Sequence, residues 1–158
     1  MSKSGAETLA RNIIVVTQGF INGTVGNVAD YRKVFLELIQ NYSEIDRDKL
    51  RQNLSSFLND VIPVAEEAGI NLCIHPDDPP YPVLGLPRIA GTIDDFRWIM
   101  EQNRSLRNGI TFCSGSLSAR VDNDLTEFVR QLGDRIHFIH LRNTQMLEDV
   151  SFYESEGF

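Results

Sequence analysis

Residues 46–68 (DRDKLRQNLSSFLNDVIPVAEEA) carry apolar positions at helical spacing, with Leu50, Leu54, Phe57, Leu58, Val61 and Ile62 falling on one face. Pro63 lacks an N–H and crowds the preceding turn, so it is expected to bend or interrupt this helix, and Gly69 to end it. The apolar run Ile70–His75 then reads as a strand. Thr92 and Asp95 form a capping pair for a second helix over 92–106, which buries Ile93, Phe96, Ile99 and Met100. Asn108-Gly109 should stop it, and a second strand follows at Ile110–Cys113. A third helix, starting near Asp122-Asn123, runs from Asp124 to Leu132 over Leu125, Phe128 and Val129. Gly133 closes it before a third strand at Arg135–Leu141. Upstream, 28–42 has helical spacing (Tyr31, Val34, Phe35, Leu38, Ile39), whereas 12–17 (NIIVVT) fits either a buried strand or the end of a helix starting near Glu7.

Strand, helix, strand, helix, strand with short connections implies parallel strands joined by right-handed crossovers, an α/β class. With 158 residues, 42% of them hydrophobic, the chain can bury one globular core and not two. A net charge of −7, unbroken by any run of Lys or Arg, argues against nucleic acid and anionic membranes as partners. No apolar stretch reaches the length of a membrane span, and the N-terminal MSKSGAETLARN has no signal-peptide apolar region. Two cysteines, Cys73 and Cys113, make no disulfide framework in a chain of this size. The expectation is a soluble cytoplasmic protein with reduced thiols.

Each expected strand ends on a residue able to bind a transition metal: His75, Cys113 and His140. Side chains two apart share a strand face, so His75 should lie with Asn71 and Cys73, Cys113 with Thr111, and His140 with Phe138 and Ile136. If the alternate residues pack on helices, the three ligands point inward at the C-terminal ends of their strands, where barrel enzymes build active sites. Imidazole and thiolate suit Mn, Fe, Co or Zn better than Mg or Ca, and three protein ligands leave positions open for substrate. Taken singly, a strand histidine is more often packed or surface-exposed, and a buried cysteine inert; three at equivalent strand ends is the informative pattern.

Five of the six prolines fall within 76–87, which makes HPDDPPYPVLGLPR a stiff loop directly after His75. Asp77 and Asp78 either orient His75, bind substrate hydroxyls, or simply form turns. Arg88 and Arg142 either grip a carboxylate or make surface ion pairs. His137 faces away from His140 in this scheme and reads as structural.

IHPDDPPYPVLGLPRI, then FCSGSLSARVDND, then IHFIHLRNT together resemble the mannonate dehydratase family in the same order and at similar separations. The resemblance covers roughly residues 28–145. It is less distinct over 1–27, where Thr17-Gln18-Gly19 stands in place of the family's Leu-Pro-Gly. It implies a cytoplasmic hydro-lyase of hexuronate (glucuronate) catabolism, converting D-mannonate to 2-keto-3-deoxy-D-gluconate and water with Mn²⁺ or Fe²⁺. His75, Cys113 and His140 match three of the family's metal ligands, and Asp77, Asp78, Arg88 and Arg142 are the substrate-binding candidates. The implied fold is a TIM (β/α)₈ barrel, which needs about 250 residues. Residues 1–158 are therefore expected to form a single partial barrel domain. It would lack the early strands and the downstream Pro-Asp-His-Gly segment that brings the fourth ligand and a proton-transfer histidine.

Two other functions fit parts of the pattern. A divalent-metal barrel of the sugar-isomerase or endonuclease type would favour histidine and carboxylate ligands, which Cys113 and the −7 charge argue against. A non-catalytic remnant would bind metal, or self-associate into a homo-oligomer through open strand edges and uncovered apolar faces.

Overall fold

The computed structural model describes residues 28–148 and 151–156, so the ambiguous segment 12–17 lies outside the described residues. The chain divides into two compact units, 1–44 and 45–158. In the first, α1 (Val28–Asn41) matches the helical spacing of 28–42 and carries the one-turn ion pair Lys33–Glu37 at 3.9 Å.

The second unit alternates helix and strand: α2 (Arg47–Ala68), β1 (Leu72–Ile74), α3 (Ile93–Gln102), β2 (Asn108–Cys113), α4 (Ser114–Ser118), α5 (Leu125–Leu132) and β3 (Ile136–His140). A hairpin of β4 (Thr144–Met146) and β5 (Phe152–Glu154) follows. The first three strands form one parallel sheet in the order β1-β2-β3. Asp46 caps α2 through the amide of Lys49, and Gly69, in the left-handed region at φ 68°, closes it. Pro63 does not interrupt α2. It sits on the exposed side, where water can satisfy the carbonyl that loses its partner.

The capping box on α3 forms as the Thr92/Asp95 spacing requires. Asp95 is only 2% exposed and is fully committed, because its carboxylate accepts from the amides of Gly91 and Thr92 and from Arg47 and Arg51. β2 begins at Asn108 rather than Ile110. α3 ends at Gln102 with Asn103 as its C-cap, short of the expected stop at Asn108-Gly109, and the buried Asn108 side chain reaches back from the strand to donate to the carbonyls of Ile99 and Asn103.

All three long helices of this unit cover one face of the sheet. Leu58 and Ile62 of α2, Phe96, Ile99 and Met100 of α3, and Phe128 and Leu132 of α5 pack with Ile110, Leu72, Ile74, Phe112 and Ile136. Phe96 and Phe128 meet edge-on with ring centroids 5.3 Å apart. Two expected core residues are not core. Phe57 is 54% exposed because the α2 stripe runs Leu54, Leu58, Ile62, Ala65, and Val129 is 45% exposed because α5 turns Phe128 and Leu132 inward.

The face assignment in β3 also differs from strict alternation. Ile110 pairs with Ile136, but Thr111 pairs with Phe138, so His137 is an extra residue in a bulge. Ile136 therefore joins the helix-covered face, opposite to His140, instead of sharing its face. His137 donates from Nε2 to the Leu106 carbonyl at 2.7 Å, a structural role at the far end of the sheet from His140.

Truncating Phe96 to alanine should cost about 3–5 kcal/mol, as for other fully buried aromatic residues. Phe57→Ala should stay within about 0.5 kcal/mol, as exposed positions do. Urea denaturation of both variants checks this, and equal losses would contradict the stripe as described.

Candidate metal centre

The face of the sheet opposite these helices carries the candidate chemistry at its C-terminal edge. β1 pairs with β2 as far as Ile74–Ile110, which leaves His75 just past the strand end; Cys113 and His140 are direct partners in the β2–β3 register. One donor atom from each of His75, Cys113 and His140 lies within 4.8 Å of the others. His75 Nε2 is 3.5 Å from His140 Nδ1, and the Cys113 sulfur is 3.4 Å from the same nitrogen. A carbonyl can only accept, so His75 must donate from Nδ1 to the Pro76 oxygen at 2.7 Å. That fixes the tautomer and leaves a bare Nε2 lone pair facing the cluster, the arrangement a metal-ligating histidine needs. Two imidazoles and a thiol this close suit a borderline or soft divalent ion, and these three residues would hold it. Cys73 is not part of the cluster, and burial pushes its thiol pKa up, away from the thiolate form a metal requires.

The cluster opens into a cavity of about 450 Å³ lined by His75, Asp78, His140, Arg142, Asn143 and Glu154, among others. Arg142 forms an ion pair with Asp78 and donates from Nε to Glu154 at 2.5 Å. Partial burial works against its charge, but the Glu154 and Asp78 carboxylates outweigh that and push its pKa above the ordinary arginine value.

The segment after Cys113 is shaped to receive this arginine. Ser114 Oγ accepts from the Arg142 amide at 3.0 Å and donates to the Arg142 carbonyl at 2.6 Å. A Cβ on Gly115 would lie 2.5 Å from Arg142 Cγ, so only glycine lets the arginine stem pass. Arg142 Nη1 reaches Ser116 Oγ at 3.4 Å.

Of the four substrate-binding candidates, Asp78 and Arg142 line the cavity, and Asp77 and Arg88 are not among its lining residues. Asp77 instead closes the proline-rich loop: its carboxylate accepts from the amides of Ile89 and Ala90 at 2.9 and 2.8 Å, and its own amide donates to the Ala90 carbonyl. Arg88 pairs with it at 3.6 Å. Between them the chain reverses through Val83–Leu86, with Leu84 and Gly85 both at positive φ. The loop is also pinned to the chain after α4, where Tyr81 donates to the Ala119 carbonyl and Arg120 lies over the Tyr81 ring.

Sequence reasoning missed Ser114, Gly115, Ser116 and Glu154. The small-residue run Ser-Gly-Ser after a ligand-bearing strand was the available signal for the first three. Glu154 gave none, because β5 is three residues long and unpatterned.

A parallel α/β layer bearing two imidazoles, a thiol and a carboxylate-held arginine at its strand ends defines the class as an α/β domain with a candidate transition-metal centre. A model of the D-mannonate dehydratase (UxuA) family matches residues 1–157. Mannonate dehydratase 1 of Agrobacterium fabrum is 52% identical over 124 residues, covering 77% of this chain and 31% of that relative. Mannonate dehydratase of Saccharophagus degradans is 40% identical over 157 residues, covering 99% of this chain and 38% of that relative. A crystal structure of mannonate dehydratase from Streptococcus suis serotype 2 superposes with a TM-score of 0.72 at 36% identity, covering 76% of this chain and 35% of that one. The chain belongs to the mannonate dehydratase family. It spans about a third of the length of the curated relatives it matches, and the match runs through residues 1–27 as well as 28–145.

Asp77 carries a loop-closing load that can be measured. Asp77→Ala should destabilise the protein by about 1–3 kcal/mol, the cost of orphaning buried amides, and should speed hydrogen exchange at Ile89 and Ala90. Unchanged exchange at both amides would return Asp77 to the candidates for substrate.

Proposed function

We propose that this chain is a piece of a mannonate dehydratase (β/α)₈ barrel that carries three of its metal ligands and part of its substrate pocket. The observation that carries the reading is the convergence of His75 Nε2, Cys113 Sγ and His140 Nδ1 within 4.8 Å at the C-terminal ends of parallel strands. The reaction is the dehydration of D-mannonate to 2-keto-3-deoxy-D-gluconate: the C2 proton and the C3 hydroxyl leave as water, and the enol product becomes the ketone. A bound Mn²⁺ or Fe²⁺ would supply Lewis acidity to the carboxylate and hydroxyl oxygens of the sugar acid, stabilising negative charge that develops as the C2 proton departs.

This chain's own residues prepare that site. The Pro76 carbonyl holds His75 in the tautomer that presents Nε2. Arg142 stands at the cavity wall as the group for the substrate carboxylate, while Asp78 offers acceptor oxygens to hydroxyls. Asp77 and Arg88 act on the pocket through the loop that bears Asp78 rather than by contact with substrate.

The edge of the sheet supports the partial-barrel reading. On and just beyond β3, Phe138, Ile139 and Leu141 are 58%, 60% and 68% exposed, apolar surface of the kind that further barrel segments would cover and that otherwise favours self-association. The setting is the cytoplasmic breakdown of hexuronates, with a small sugar acid as partner and neither nucleic acid nor membrane.

Metal content by mass spectrometry tests the reading. After exposure to Mn²⁺ or Fe²⁺ and removal of free ion, the wild-type chain should retain metal, whereas Cys113→Ala and His140→Ala should lose most of it. Equal metal in all three would remove the cluster from the account.

A further inference from the structure

Ser116 is fully buried, stands three residues after Cys113 in α4, and is neither a proposed metal ligand nor a substrate-binding candidate. Its oxygen lies 3.2 Å from the Cys113 sulfur and 3.4 Å from Arg142 Nη1. The directions of these two contacts follow from chemistry. A guanidinium has donors only, so Ser116 Oγ accepts from Arg142. The hydroxyl has one proton, and of these two partners only the sulfur can accept it. A metal-bound cysteine is a thiolate with no proton of its own, which makes the direction Ser116 to Cys113.

Resting on the metal-centre reading above, we propose that Ser116 is a positioning residue. Its hydroxyl, polarised by Arg142, donates to the Cys113 thiolate and so ties the arginine at the cavity wall to a metal ligand. The chain of contacts runs from the Asp78 and Glu154 carboxylates through the Arg142 guanidinium and the Ser116 hydroxyl to sulfur. Three consecutive residues hold three different parts of the same arginine: Ser114 its backbone, Gly115 its stem, Ser116 its head. The position of the hydroxyl is therefore set by elements on both sides. Burial removes water as a competing donor to the sulfur, so the hydrogen bond keeps its full effect on the ligand.

Two consequences follow for a bound ion. A donor fixed on the sulfur lowers the energy of its filled orbitals, so charge transfer from sulfur to metal takes more energy. It also holds the sulfur lone pairs in one orientation toward the ion, as outer-sphere partners of metal ligands do, and removal of such partners typically weakens metal binding by about 10–100-fold.

Cobalt(II), added to the full chain as a coloured probe, reads both effects at once. Ser116→Ala deletes one oxygen with little change of volume; it should move the sulfur-to-cobalt absorption band to longer wavelength and weaken cobalt binding roughly tenfold. Ser116→Thr, which keeps the hydroxyl, should restore the wild-type band position. A Ser116→Ala chain with an unchanged band and unchanged affinity overturns the proposal. Absence of any sulfur-to-cobalt band in the wild-type chain overturns the metal reading, and this inference with it. Should the variants fail to fold, the wild-type chain loaded with a magnetic cadmium isotope decides by NMR. A slowly exchanging Ser116 hydroxyl proton coupled to cadmium through sulfur supports the link, and a freely exchanging, uncoupled one overturns it.

Discussion

The extra residue in β3 decides whether this sheet has a site at all. With an uninterrupted register from Ile110–Ile136, Cys113 would pair with Ile139, and His140 would point to the helix-covered face. By taking His137 out of the ladder, the bulge shifts every later residue by one, and Cys113 faces His140. The strand then serves two surfaces: Ile136 packs with the core, while His140 stands on the opposite side beside the sulfur. The bulge is held by specific bonds, with His137 Nε2 on the Leu106 carbonyl and Arg135 on the carbonyls of Ser105 and Asn108. Geometry at the rim thus depends on contacts made at the other end of the strands.

A second dependence runs through Arg142. A guanidinium beside two imidazoles and a prospective cation is electrostatically unfavourable unless acidic groups compensate, and Asp78 and Glu154 supply that compensation from two separate elements. Asp78 arrives on the proline-rich loop, which Asp77 closes from within and Tyr81 and Arg120 pin to the chain after α4. Glu154 arrives on the β4–β5 hairpin, opposite Thr144 in its register. The pocket wall is assembled from the proline-rich loop and the β4–β5 hairpin around one side chain, whereas the proposed ligands come from strand ends. This division lets the strand-end geometry be rigid while the cavity wall is built on segments that tolerate change.

Much of this was legible in the sequence because it rests on local rules. Helical spacing, the Thr92/Asp95 capping pair and the glycine after Ala68 located α2, α3 and α5, and strand ends singled out His75, Cys113 and His140. What escaped was non-local. Strict alternation cannot anticipate a bulge, so Ile136 was assigned to the wrong face of β3. Nothing in the spacing of α2 distinguishes Phe57 from Leu58 until the sheet beneath it is known, and the two differ by 54% against 0% exposure. Asp77 and Asp78 are neighbours of one residue type, yet one turns inward to amides and the other outward to Arg142, a difference created by the loop as a whole. The hairpin that brings Glu154 to the cavity is too short for periodicity to show it.

The central claim is that one sulfur and two imidazole nitrogens from adjacent strand ends share an ion. X-ray absorption at the metal edge of the zinc-loaded chain tests it directly. The account predicts a first shell of one sulfur at about 2.3 Å and two imidazole nitrogens at about 2.0–2.1 Å, with the remaining position filled by lighter atoms. A first shell made only of oxygen and nitrogen, with no sulfur, would contradict it.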